Sequence, residues 1–198
     1  MPRTSKARNS VGRDPKKTSG RFVALVRGVN VGGRGKLAMA DLREVLGQLG
    51  YADVVTVLQS GNAVFSAGDR IPALLERAIE RGVSECLDLT VDVLVRTASE
   101  WEELIAANPF AREAGIDASH LLVLFMKRRV TEREAAALQA EVLGPEVIRA
   151  SGRELYVVYP EGIGRSRVTG NWIERQLSSS GTGRNWNTVL RIGRSLSA

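Results

Sequence analysis

The chain has 198 residues, 43% of them hydrophobic and 25% charged, and carries a net charge of +6. That composition is ordinary for a globular protein, excludes a disordered or fibrous class, and leaves room for one large or two small domains. Apolar runs such as Leu121–Met126 are far shorter than the about 20 residues of a membrane-spanning helix, so no membrane partner is expected.

The charge is concentrated at the start. Residues 1–20 hold six basic side chains against one acidic, whereas the rest of the chain holds 22 against 21. With prolines, glycines and serines among those charges, residues 1–20 read as a disordered basic tail. No apolar segment follows Met1 to mark a secretory leader, and a single cysteine suits a reducing compartment, so a cytoplasmic location is expected. That cysteine, Cys86, lies on an amphipathic run with Ile79 and Val83, which favours a small core residue over a reactive thiol. One cysteine and one histidine, His120, cannot build a zinc ligand set, so no metal is expected, and the sequence leaves any cofactor unidentified.

In chain order, Phe22–Val26 reads as a buried strand and Met39–Leu49 as a helix stopped by Gly50, with Leu42, Val45, Leu46 and Leu49 on one face. Val54–Leu58 and Ala63–Phe65 read as strands joined by Gln59-Ser60-Gly61-Asn62, a hairpin signal. A helix over Ile71–Leu87 tolerates Pro72 in its first turn, and Val91–Val95 alternates as a strand. This βαββαβ order makes residues 21–97 a first ferredoxin-like lobe. Residues 98–118 form a linking helix and loop, with a stop at Asn108-Pro109.

From residue 119 the pattern repeats. Leu121–Met126 is a strand, Thr131 and Glu134 form a capping box for a helix reaching Leu143, and strands Glu146–Arg149 and Leu155–Tyr159 flank Ala150–Arg153. A helix carrying Val168, Trp172, Ile173 and Leu177 follows, then a terminal helix from Asn187. The fold class is therefore α+β, a tandem repeat of two ferredoxin-like (βαββαβ) lobes with antiparallel sheets, the second spanning 119–198. The repeats differ in that only the first carries a long glycine-rich loop, Arg27-Gly28-Val29-Asn30-Val31-Gly32-Gly33-Arg34-Gly35-Lys36.

That loop is no Walker A motif, because Leu37 follows Gly35-Lys36 where a magnesium-binding hydroxyl belongs. It also lacks the acidic partner of a dinucleotide fingerprint. It is either a connector or an anion site built on close backbone approach. Gln59, Ser60 and Asn62 either make a turn or present amide and hydroxyl groups to a ligand. Arg165 and Arg167 flank Ser166, placed to cap the next helix, as an anion site would require. In Arg184-Asn185-Trp186-Asn187, either Asn187 caps and Trp186 packs, or the group contacts a base or sugar.

Five ordered motifs carry a family likeness: Arg27-Gly28-Val29-Asn30-Val31-Gly32-Gly33, Leu58-Gln59-Ser60-Gly61-Asn62, Asn108-Pro109-Phe110, Gly164-Arg165-Ser166-Arg167 and Arg184-Asn185-Trp186-Asn187-Thr188-Val189. Over about residues 21–195 the chain resembles the bacterial family called domain of unknown function 1697. The resemblance implies a two-lobed α+β protein and lends no established activity.

Residues 21–40 and 161–198 each carry an excess of four basic side chains, whereas residues 41–104 hold 12 acidic against five basic. The expectation is a basic inter-lobe cleft for a small anionic ligand, phosphorylated or nucleotide-like. Arg27, Lys36, Arg165, Arg167 and Arg184 would supply charge, and Asn30, Gln59, Asn62 and Asn187 orientation. One alternative is a transferase or hydrolase with Ser60 or Ser166 as nucleophile, for which no general base is evident. Another is a nucleic-acid-binding module, for which the paired aromatic motifs of an RNA-recognition sheet are missing.

Overall fold

The structure, a computed structural model, describes residues 20–30, 36–113 and 116–198. The expected tail, apart from Gly20, and the Gly32-Gly33 part of the loop lie outside the described residues. The elements are β1 (Arg21–Val26), α1 (Met39–Gln48), β2 (Ala52–Thr56), β3 (Asn62–Ser66), α2 (Pro72–Leu87), β4 (Val93–Thr97), α3 (Ala98–Ala106), β5 (Leu121–Met126), α4 (Glu132–Ala140), β6 (Val147–Ser151), β7 (Glu154–Val158), α5 (Gly170–Leu177), β8 (Gly181–Asn185) and α6 (Trp186–Leu196).

They build an α+β protein with two four-stranded antiparallel sheets, ordered β2-β3-β1-β4 and β6-β7-β5-β8. Each sheet is covered on both faces, which is why its central strands are apolar runs without polar alternation. In β1, Phe22, Ala24 and Val26 face α1 and α2, while Val23 and Leu25 face a central core. In β5, Val123 and Phe125 face that same central core, while Leu124 and Met126 face α4 and α5. The central core also takes Trp101 and Leu104 of α3 and Val189, Ile192 and Leu196 of α6, so these helices tie the sheets together. Trp101 stacks on Phe125 at 5.0 Å and donates its indole N–H to the Val189 carbonyl.

The repeating unit is seven elements long. Thr97 caps α3 with a full capping box, and Asn185, 88 residues on, caps α6 by accepting from the Thr188 amide. Thus α3, expected as a linker, holds in the first repeat the place of α6 in the second, and Asn185 caps where Asn187 was expected.

Two other expectations are corrected, and one strand that the repeat requires is located. The β4 strand begins two residues later than read, at Val93, because Val91 and Asp92 lie beyond its pairing with β1. The sequence assigns no residues to the closing strand that a βαββαβ second repeat requires, since Gly181-Thr182-Gly183 has poor strand propensity; that strand is β8. It forms because β5 accepts it at close range: a Cβ on Gly181 would come within 2.9 Å of the Phe125 carbonyl oxygen. Cys86 is exposed, its thiol 3.3 Å from Gln48 Oε1, rather than buried.

Candidate functional site at the junction of the repeats

The two sheets hold each other by reciprocal arginines. Register pairs Val23 with Arg96 on β4 and Val123 with Arg184 on β8. Arg96 donates to Glu154 on β7 and to the Met126 carbonyl at the end of β5. Arg184 donates to Asn62 on β3 and to the Val26 carbonyl at the end of β1. Glu154 and Asn62 are equivalent, opposite Phe125 and Leu25. One arm is therefore a buried ion pair, and the other a guanidinium held by neutral acceptors only.

Arg184 spends all five of its N–H donors inside the protein, on Asn62, Val26 and Ser60, and on its neighbours Thr182 and Gly183. Burial lowers its pKa to about 10, because no carboxylate offsets the desolvation of the cation. Asn62, fully buried, donates back to the Val57 carbonyl and Ser60 Oγ. Asn30 sits at φ 56°, donates to the carbonyls of Leu37 and Gln59, and accepts from the Leu37 amide. It staples the two ends of its own loop to the β2–β3 turn. Gly61 completes that turn at φ 72°, where a Cβ would lie 2.7 Å from Val29. These polar residues assemble the junction.

The remaining nominated residues divide by place. Gly28, Lys36, Gln59 and Asn187 are exposed, and Trp186 is half-buried against the central core. Arg165, Ser166 and Arg167 line a separate cavity in the second repeat, and none of them lines the junction pocket. Ser166 does not cap α5; Thr169 does, by accepting from the Trp172 amide. The Ser166 hydroxyl instead donates to Glu146, and its oxygen accepts from the Val168 amide.

Beside the Arg184 arm lies a second reciprocal pair. Lys127, just after β5, reaches Glu80 of α2 and the Val93 carbonyl. Arg27, just after β1, reaches Glu174 of α5, at 3.0 and 2.6 Å, and the Gly181 carbonyl. Glu80 also accepts from the outward-facing Val93 amide and Glu174 from the Gly181 amide, which fixes the equivalence. Glu174 chiefly, with Asp92 at 3.3 Å, holds the Arg27 pKa above its ordinary value.

The arms then part. One turn before Glu80, Glu76 accepts from the next outward amide, that of Val95, and from Lys127. One turn before Glu174 stands Gly170, and by the same alternation the Gly183 amide points out of the sheet edge with no described side chain to receive it. The space left open is a pocket of about 490 Å³, lined by Arg27, Asp92, Glu174, Asn171, Gly170 and Gly183 among others. A neighbouring hollow shares Asn171 and Glu174 and extends it along α5 to Ser180.

The pocket offers donors from Arg27, Asn171 and the Gly183 amide beside acceptors on Asp92 and Glu174, so it is polar without being basic. Its key groups were not legible as a motif: Asp92 reads as part of an alternating strand, and Glu174 belongs to no motif that the sequence singles out. They stand out in the register that β4 and β8 share. Among the described residues no cluster of three or more His, Cys, Asp or Glu could hold a metal, and no helix is long and apolar enough to cross a membrane.

A two-repeat α+β protein whose polar pocket lies between the repeats is the class that fold and site define. The chain belongs to the family described as protein of unknown function (DUF1697), whose profile matches residues 20–156. The fold is similar to that of the conserved bacterial protein SP0830 from Streptococcus pneumoniae, with a TM-score of 0.68 and 24% identity over 89% of this chain and 98% of the other. The chain is also 22% identical over 129 residues, 65% of its length, to 87% of the D-ribose pyranase of Photorhabdus laumondii.

Proposed function

We propose that each repeat is a ferredoxin-like lobe and that the protein binds a small, neutral, hydroxyl-rich ligand in the pocket between them. The observation that carries this is the unfilled place of Glu76: Gly170 leaves the Gly183 amide and one side of Arg27 open where the other repeat supplies its own carboxylate. A hydroxyl suits that place because it accepts from the amide while donating to a carboxylate, and Asp92 and Glu174 are both within reach of Arg27.

An anionic, phosphorylated or nucleotide-like ligand, as first expected, meets a poorer match. Arg27 faces two carboxylates, Arg184 is buried with its donors spent, and Arg165 and Arg167 belong to another cavity. Nucleic-acid binding has no support beyond the basic residues 1–20. The likeness to a D-ribose pyranase favours an aldose among hydroxyl-rich ligands, and single Cys86 favours a cytoplasmic setting.

Titration calorimetry against ribose, glucose and glycerol, with ribose 5-phosphate as the charged control, tests the reading. Gly170→Glu places a carboxylate where Glu76 stands in the first repeat, and Gly170 has room for it, the nearest atom to a built Cβ being 3.9 Å away. The expected result is sugar binding in the parent, at least tenfold weaker binding in Gly170→Glu, and an unchanged urea midpoint. Tighter binding of the phosphorylated sugar than of ribose itself restores the anionic reading, and binding untouched by Gly170→Glu moves the site elsewhere.

A further inference from the structure

The second repeat holds a cavity of about 590 Å³ between the segment that follows α4 and the segment that leads into α5. Its floor is Glu146, a side chain that sequence reading passed over as the start of a strand. Glu146 is only 8% exposed. One carboxylate oxygen takes the Ser166 hydroxyl, and the other receives no hydrogen bond from any described residue. No described cation lies within ion-pairing distance of it, although Arg165 and Arg167 line the same cavity with their side chains turned to solvent.

The second oxygen is not among the buried polar atoms left without a partner, so it opens onto the cavity, where a counter-charge can reach it. The carboxylate lies against Gly144, so close that a Cβ there would push the flexible Glu146 side chain aside. Its charge is felt nearby, since it adds to the burial that raises the Tyr159 pKa. The cavity as a whole carries three carboxylates, Glu141, Glu146 and Glu161, against two guanidiniums, and Trp172 forms one wall. Aromatic walls beside carboxylates suit a cation with an apolar body.

We propose that this cavity is a binding site for a small organic cation bearing a primary ammonium group. The ammonium sits on the free oxygen of Glu146, and the hydrocarbon part lies against Trp172. A compact ammonium carries three donors, enough for Glu146 and a carbonyl or hydroxyl of the surrounding segment. The site shares no lining residue with the junction pocket, so it stands or falls independently of the sugar reading.

The test is a tryptophan-fluorescence titration of the full chain with n-butylammonium chloride, against sodium chloride at equal ionic strength and against n-butanol. Trp101 is fully buried and Trp186 packs on the central core away from this cavity, so a saturable change specific to the ammonium salt is expected to come from Trp172. Glu146→Gln is expected to weaken the response at least tenfold, and Trp172→Phe to remove most of its amplitude. Equal responses to sodium and butylammonium, or an ammonium response that persists in Glu146→Gln, overturn the proposal. If Glu146→Gln fails to fold, retention of the full response in Trp172→Phe does so.

Discussion

Arg96 and Arg184 do the same mechanical task with different chemistry, and the difference predicts how each tolerates change. Arg96 has a carboxylate partner in Glu154 at 2.8 Å, whereas Arg184 has an amide in Asn62 at 2.5 Å. Because the Arg184 arm is stable with a neutral acceptor, Glu154→Gln is expected to cost only about 1.5 kcal/mol, the low end of the range for a hydrogen bond to a charged group. Arg184→Leu is a different case. It leaves Asn62 Oδ1 and the carbonyls of Val26 and Ser60 without that donor in a dry junction, and should cost about 3 kcal/mol or more. Urea unfolding at pH 7 separates the two: a Glu154→Gln loss as large as that of Arg184→Leu would mean that charge pairing, rather than donor satisfaction, holds the sheets together.

At the scale of elements, α3 and α6 are the pieces on which the join between the sheets depends, and both are fixed at their first residue. Thr97 accepts from the Glu100 amide while Glu100 accepts from the Thr97 amide, so Thr97→Ala is expected to cost about 1 kcal/mol by urea unfolding. On α4 the hydrogen bond from Arg128 chiefly, with the same kind of box to Thr131, holds the Glu134 carboxyl down to about 2. A depressed carboxylate pKa gives stability that is complete above its unfolded value and is lost as pH falls from there through about 2. Glu134→Gln should therefore flatten the acid limb of the stability curve between pH 4.5 and 2, which thermal melts at stepped pH would reveal.

These boxes were legible because capping is local: Thr131 and Glu134 meet whatever the rest of the chain does. Helix α2 and strand β5 were legible for a similar reason, their period being written in consecutive residues. Strand β8 was not, because Gly181 and Gly183 serve close contact with Met126 and Leu122, a demand made by β5 and invisible in their own propensities. The polar motifs were seen, but the bonds they make were not. Asn30, Asn62 and Arg184 looked like ligand-facing groups, yet each is taken up by backbone carbonyls that only the folded junction presents. What marks the pocket is an omission, Gly170 where the other repeat has Glu76, and an omission is readable only against the second copy.

For the molecule as a whole, the alkaline limit of stability follows from where its three tyrosines lie. Tyr156 and Tyr159 are buried on opposite faces of the second sheet, donating to the carbonyls of Leu104 and Val168, and burial pushes both phenols well above their ordinary value. Tyr51 is raised as well, through burial that outweighs the nearby Arg70. Phenols that resist ionisation in the fold but ionise near pH 10 once unfolded make the unfolded chain bind fewer protons above that pH, so stability falls as pH rises past 10. The lowered pKa of Arg184 works in the opposite sense, but its five donated hydrogen bonds hold it as the cation. With three groups against one, the phenols prevail. The folded protein at pH 10.5 is therefore expected to show little tyrosinate absorbance at its melting onset, with the absorbance appearing in one step together with loss of structure. Tyr156→Phe and Tyr159→Phe should each move that step to higher pH. Tyrosinate that titrates smoothly near pH 10 while the helices remain intact would mean that the two sheet faces are open to water.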